Sequence, residues 1–147
     1  MAALLERLRG DLTAARKAQD KSATLLLGTV LADVKNRELE LRREPTDEDV
    51  QDVLRRAIKR RREAVEMYAA AGRTDLEARE RAEAEALERY LPAAASDDEL
   101  RAAVRAAIAG GAASLGAVMG RVMPQFKARA DGSRINAIAR EELGKRS

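Results

Sequence analysis

The chain has 147 residues with 28 Lys and Arg against 25 Asp and Glu, a formal net charge of +3, and neither Cys nor His. That excludes disulfides, thiolate nucleophiles and zinc–sulfur sites, and it removes the commonest general base and metal ligand. Aromatic residues make up 2% of the chain, so a core must be aliphatic, and the abundance of Ala, Glu and Arg with only three Pro predicts an all-α fold.

The first helix spans about residues 2–18, with Leu5, Leu8, Leu12 and Ala15 as its apolar stripe. Asp20 or Ser22 caps the second, which runs to about Leu41 with Leu27, Val30, Leu31, Val34 and Leu41 inward. Pro45 is expected to stop it. Thr46, followed by Asp47, Glu48 and Asp49, opens a third helix reaching about Ala71. Its stripe is Val50, Leu54, Ala57, Ile58, Val65 and Tyr68, and Arg61 falls on that same face. Gly72 ends it, and Thr74 with Glu77 reads as a capping box for a fourth helix to about Leu91.

Leu76, Ala84, Leu87 and Leu91 share one side of that fourth helix with Glu80 and Glu83. If the third and fourth helices form an antiparallel hairpin about Gly72, Arg61 lies level with Glu83. A partly buried structural ion pair of Arg61 with Glu83 or Glu80 is the expectation; such a pair fixes register more than it adds stability. The dense basic run Arg55, Arg56, Lys59, Arg60, Arg61 and Arg62 points to nearly every side of a helix, which suits a salt-bridged surface better than one nucleic-acid groove.

Pro92 to Ala95 marks the subdomain boundary, giving an N-terminal helical bundle or hairpin over 1–92 and a three-helix C-terminal unit over 96–147. Ser96 with Glu99 forms a second capping box for a fifth helix to about Ala109, stopped by Gly110-Gly111. Ser114 starts the sixth helix, where Val118, Met119, Val122, Met123 and Phe126 make one apolar face. The last begins near Gly132 or Ser133 and ends about Leu143.

Charge is unevenly placed. Residues 1–95 hold 19 basic and 19 acidic side chains, whereas residues 96–147 hold nine and six. Between Ser114 and Arg140 the bases Arg121, Lys127, Arg129, Arg134 and Arg140 face one acid, Asp131. Basic side chains beside the start of a helix attract anions, so this segment is the candidate RNA-binding site. No nucleophile–base pair can be assembled without His, Cys or a placed Lys, and the expectation is no catalytic residue, no cofactor and no metal. The carboxylates around Glu80 and Glu83 read as a charged face. No apolar run is long enough to span a bilayer, and the amphipathic, acid-bearing N-terminus is unlike a secretory signal. The expectation is a soluble, cytoplasmic protein with no membrane partner.

Several segments carry a resemblance: Val30 to Asn36, Thr46 to Val50, Lys59-Arg60-Arg61, Ala71 to Leu76, Tyr90-Leu91-Pro92, Gly116 to Pro124, Arg129 to Gly132, and Ile135-Asn136. In that order they resemble the GatB/YqeY family, specifically its stand-alone YqeY-like proteins. The resemblance implies an all-helical fold whose C-terminal unit is similar to the tail of the B subunit of the glutamine-dependent aminoacyl-tRNA amidotransferase, which helps hold tRNA. It implies tRNA or another structured RNA as partner, with an amidotransferase or translation-related protein beside it. Carried over, Lys127 and Arg129 would meet phosphate, Gly132 would permit a tight turn, and Asn136 would brace that turn or touch RNA. The family usually has glycine where this chain has Ala128, which would weaken the contact if the glycine lets RNA approach. A carbon–nitrogen ligase label, with glutamine as amide donor, would come from the family alone. A protein-interaction adaptor, docking through Met119 and Met123, is the alternative.

Overall fold

The computed structural model describes residues 2–127 and 129–146. Among them are seven α-helices and no strand, the all-α class that the composition predicts. The chain divides into two compact units, Met1–Leu91 and Pro92–Ser147.

The first unit holds α1 (Ala3–Lys17), α2 (Lys21–Leu41), α3 (Asp47–Ala70) and α4 (Thr74–Glu88). Leu5, Leu8 and Leu12 of α1, Val30 and Val34 of α2, and Val50, Leu54 and Ala57 of α3 recur at helical spacing and share one core with Leu87 of α4. The N-cap of α1, Ala2, has no side chain to offer; instead the Leu4 N–H donates to Asp47 Oδ1 of α3 at 3.0 Å. One carboxylate therefore closes a helix end 43 residues away. Asp20, not Ser22, caps α2, accepting from the Ala23 N–H at 3.0 Å.

The second helix differs from expectation on two counts. Leu26 is buried whereas Leu31 and Leu41 are half-buried. The helix also stops three residues before Pro45: Arg42 takes a left-handed conformation, φ 56°, and its N–H donates to Glu38 O at 2.9 Å. Pro45 does not end the helix; it is buried in the following turn. A non-glycine left-handed residue is strained by about 1 kcal/mol, so Arg42→Gly is expected to raise the first unit's stability by roughly 0.5–1 kcal/mol. A chemical denaturation series that leaves the midpoint unchanged or lowered would contradict this.

Thr46 and Asp49 form a complete capping box on α3. Arg43 reaches the same carboxylate at 2.7 Å, and this bond, with the Thr46 N–H, holds the Asp49 carboxyl far below the usual range. Downstream, consecutive arginines go to different neighbours: Arg60 to Asp33 of α2 at 3.0 Å, Arg61 to Glu83 and Arg62 to Glu88 of α4 at 3.1 and 2.6 Å. The basic run lies where α3 meets helices on both flanks. Arg61 is the most enclosed of these arginines; its Nε donates to Glu83 Oε2 and its Nη1 to Ala57 O, and Glu80 takes no part. After Gly72 (φ 71°) the fourth helix begins without the expected capping box: Thr74 is already helical, and the N-cap, Arg73, makes no side-chain cap.

The second unit comprises α5 (Asp97–Ala109), α6 (Leu115–Phe126) and α7 (Gly132–Gly144). Leu100 and Val104, Val118 and Val122, and Ile135 and Ala139 supply its core from the three helices in turn. Ser96 with Glu99 caps α5, Ser114 caps α6, and Asp131, rather than Ser133, caps α7 by accepting from the Arg134 N–H at 2.9 Å. Gly111 (φ 105°) follows the end of α5. Phe126 is buried and Met119 half-buried, but Met123 is 44% exposed.

Candidate functional site

The turn from α6 to α7 brings Lys127, Arg129 and Arg134 to one end of the second unit, and the start of α5 comes with them. Arg129 Nη2 donates to Glu99 Oε2 at 2.8 Å, and its Nε to Ala93 O at 3.1 Å. Its backbone carbonyl accepts from the Ala95 N–H at 2.8 Å, and its guanidinium lies 5.8 Å from the Phe126 ring centre. Arg134 Nη2 donates to Asp97 Oδ1 at 2.6 Å and to Ala95 O at 3.0 Å. The two arginines therefore clamp the lead-in 93–96 and the first residue of α5, Asp97, onto the turn. The Arg129 bond, then the Ser96 N–H, lowers the Glu99 carboxyl; the Arg134 backbone N–H, then the Ser133 hydroxyl, lowers Asp131.

This corrects the charge reading. Counted along the chain, the turn is basic; folded, it also faces Asp97 and Glu99, with Asp98 between them. Asp131 adds a fourth acid, so the three bases do not make a positive patch. Arg121 lies elsewhere. Its Nη1 donates to Ala107 O and Gly110 O at 3.2 and 3.0 Å, at the carboxyl end of α5. A side chain on Gly110 would meet that guanidinium at 3.2 Å, so glycine here makes room for an arginine. Thirteen residues separate the ends of α5, which at 1.5 Å per residue puts Arg121's anchor about 20 Å from the Arg129–Arg134 clamp. Arg140 is exposed on α7, and its Nε donates to Asn136 Oδ1 at 2.7 Å. The seven candidate residues thus fall on two ends and one flank of the unit.

Gly132 and Asn136 also receive different roles. Gly132 is the first residue of α7 and has no positive φ. A Cβ there would meet Met123 Cε at 3.3 Å, so the position serves close packing of α7 against α6 rather than a tight turn. Asn136 orients Arg140 and does not brace the turn. Ala128 lies outside the described residues.

The strongest electrostatic feature of the unit is one the sequence reading passed over. Glu142, on the inner face of α7 with Ile135, Ile138 and Ala139, is only 6% exposed. Arg101 Nη1 donates to its Oε1 at 2.7 Å, Arg105 Nε to its Oε2 at 3.0 Å, and Lys145 Nζ to Oε1 at 3.1 Å. The bonds from Arg105 and then Arg101 lower its carboxyl to about 2. The signal was present in the spacing: a carboxylate four residues after Ile138 interrupts an apolar stripe, as Arg61 does on α3.

Among the described residues no group of three or more carboxylates, His or Cys is placed to hold a metal ion. No helix among them is long and apolar enough to cross a membrane. The fold and its polar contacts define a two-unit helical protein in which ion pairs join α3 to α2 and α4, and α5 to α7. The chain belongs to the Yqey-like protein family, whose model matches residues 5–143. It is 32% identical over 101 residues to the mitochondrial protein "Altered inheritance of mitochondria protein 41" of Eremothecium gossypii, covering 67% of this chain and 55% of that one. It is 29% identical over 148 residues to the protein of the same name from Pyrenophora tritici-repentis, covering 96% and 81%. The chain thus matches about half the length of the Eremothecium relative. Both relatives are named mitochondrial, a compartment that the expectation of a cytoplasmic protein does not include.

Proposed function

We propose that this protein is a non-catalytic module that binds tRNA or another structured RNA through phosphate and shape. Family membership supports the reading, through the likeness of its second unit to an amidotransferase tail. The observation that carries it is how the charge excess of that unit is held. The carboxylates of the clamp and of Glu142 are answered by Arg129, Arg134, Arg101, Arg105 and Lys145. Among the described residues Arg121 and Arg140, in contrast, bond only neutral oxygens and keep their full positive charge for a polyanion. Recognition by stacking is not expected, because the unit's one aromatic residue, Phe126, is buried. The role fits a cytoplasmic or an organellar tRNA pool, and glutamine-dependent amidation is no part of it.

Replacing both residues, Arg121→Gln with Arg140→Gln, is expected to weaken tRNA binding about tenfold near 100 mM salt. It should reduce the slope of log affinity against log salt by roughly 2. Arg129→Ala with Arg134→Ala removes charges that Glu99 and Asp97 already balance, and should change affinity far less. Filter binding across a salt series reads both, and equal affinity of wild type and the Arg121/Arg140 variant would reject the proposal. A second reading, an adaptor that docks a protein partner on α6, rests on the exposure of Met123. Loss of partner capture in Met123→Lys, with RNA binding intact, would favour it.

A further inference from the structure

The outer side of α2 carries an open groove of about 720 Å³ along its first turns. Leu25, Gly28 and Ala32 form its apolar strip, with Arg16 and Lys21 at one end, and no acid lines it. Asp20, the cap of α2, lines a different hollow beside Arg7 and Tyr90. Neither Arg16 nor Lys21 makes an ion pair among the described residues. Lys21 is moreover the first residue of α2, where the helix dipole disfavours a cation. Leu25 stands 60% exposed within this basic, apolar surface.

A second surface of the same unit has the opposite sign. From Glu63 to Gly72 the chain holds two acids, Glu63 and Glu66, and no base. Both are exposed, neither makes an ion pair among the described residues, and the last turn of α3 supplies no base to answer them. Arg62, next to Glu63, is taken by Glu88, and Lys59 lies a turn before Glu63 without pairing to it. Beside the two acids stands Met67, 72% exposed and the most exposed large apolar side chain of the described residues. Glu63, Glu66, Met67 and Ala70 recur at helical spacing and make a ridge with an apolar crest and an acidic flank. Its place relative to the groove follows from α2 and α3, which run back along one another after the short connection 42–46 and are joined by the Arg60–Asp33 bond. Met67 lies about two turns beyond Arg60 on nearly the same side of α3, which brings it level with the first turns of α2. Ridge and groove therefore stand at the same end of the first unit.

We propose that the first unit pairs with a second copy of this chain, the Met67 ridge of each copy entering the Leu25 groove of the other, with Glu63 and Glu66 meeting Arg16 and Lys21. The two surfaces are complementary in sign and in number of charges, and each brings an exposed apolar side chain. Because they share one end of the unit, a single two-fold operation brings both contacts together. An anionic bilayer or a nucleic acid would meet the cations of the groove but be repelled by the acids of the ridge. The contact is small, so the pair belongs to the weak, salt-sensitive class. It does not depend on RNA binding by the second unit.

Sedimentation velocity of the RNA-free full chain, from about 10 μM to about 1 mM, tests it. A monomer–dimer equilibrium should appear within that range and weaken severalfold as salt rises. Arg16→Glu with Lys21→Glu, and Glu63→Lys with Glu66→Lys, should each weaken self-association at least tenfold, with the melting midpoint at low protein concentration no lower. An equimolar mixture of these two variants should associate like wild type, because every contact then joins opposite charges again. Met67→Ser should weaken the pair at least fivefold. Leu39→Ser, further along the outer side of α2, should leave it unaltered. A chain that stays monomeric throughout the range at low salt, or a mixture that does not recover, would overturn the proposal. So would an equal loss in Leu39→Ser, which would move the contact to a pairing of α2 with α2.

Discussion

Leu54→Ala is expected to destabilise the first unit by about 2–5 kcal/mol, whereas Leu39→Ala should stay within about 0.5 kcal/mol. The two leucines look alike in the sequence. Leu54 is fully enclosed by α1, α2 and α3 residues in the core, while Leu39 is 64% exposed on the outer side of α2. Truncating the first loses its transfer free energy and leaves a cavity that the surrounding core can close only in part. Truncating the second removes surface that water already reaches. The measurement is unusually clean because both tyrosines, Tyr68 and Tyr90, lie in the first unit and the chain has no Trp. Tyrosine fluorescence therefore reports that unit, and circular dichroism reports both. A shift of several degrees should appear in the fluorescence melt of Leu54→Ala. A loss as large in Leu39→Ala would show that the outer face of α2 is covered in solution.

The helical framework was legible because its signals are local. Capping residues sit three positions from the amides they satisfy, and apolar stripes repeat within a turn, so Thr46, Ser96 and the Leu5–Leu8–Leu12 stripe can be read without tertiary knowledge. Arg61 and Glu83 lie at the same level because one tight turn at Gly72 sets the register of a single hairpin. The contacts of the second unit's arginines were not legible, and the reason is the same. Glu99 and Asp97 lie 30 and 37 residues from Arg129 and Arg134, on a helix whose placement depends on packing. A charge count along a window of sequence cannot see acids that arrive from elsewhere. The roles of Gly110 and Gly132 were hidden likewise: each glycine makes space for a neighbour across a helix contact, Arg121 or Met123, which spacing along the chain does not encode.

The strongest consequence of such long-range placement falls on Glu142. Glu142→Ala should lower the melting midpoint of the second unit by roughly 5 °C or more, and Glu142→Gln should recover only part of the loss. The carboxylate joins α5 to α7 through Arg101 and Arg105 and holds Lys145 near the end of α7. Removing it leaves Arg105 without its acid and Arg101 with Glu141 alone, at 3.1 Å. Glutamine restores the volume and one acceptor but not the charge, so the gap between the two variants separates packing from electrostatics. The same site sets an acid dependence. The Glu142 carboxyl is lowered from 4.5 to about 2 on folding, so its contribution is complete above pH 4.5, declines as the pH falls, and is lost below about 2. Glu99 and Asp131 are lowered as well, so the Glu142→Gln variant should retain a shallower acid dependence between pH 4.5 and 2 rather than none. The reading is the part of the circular dichroism melt to which tyrosine fluorescence is blind. If wild type and Glu142→Gln lose stability in parallel over that interval, the carboxylate is not the bond that holds α5 and α7 together, and the Arg129–Arg134 clamp must carry that load.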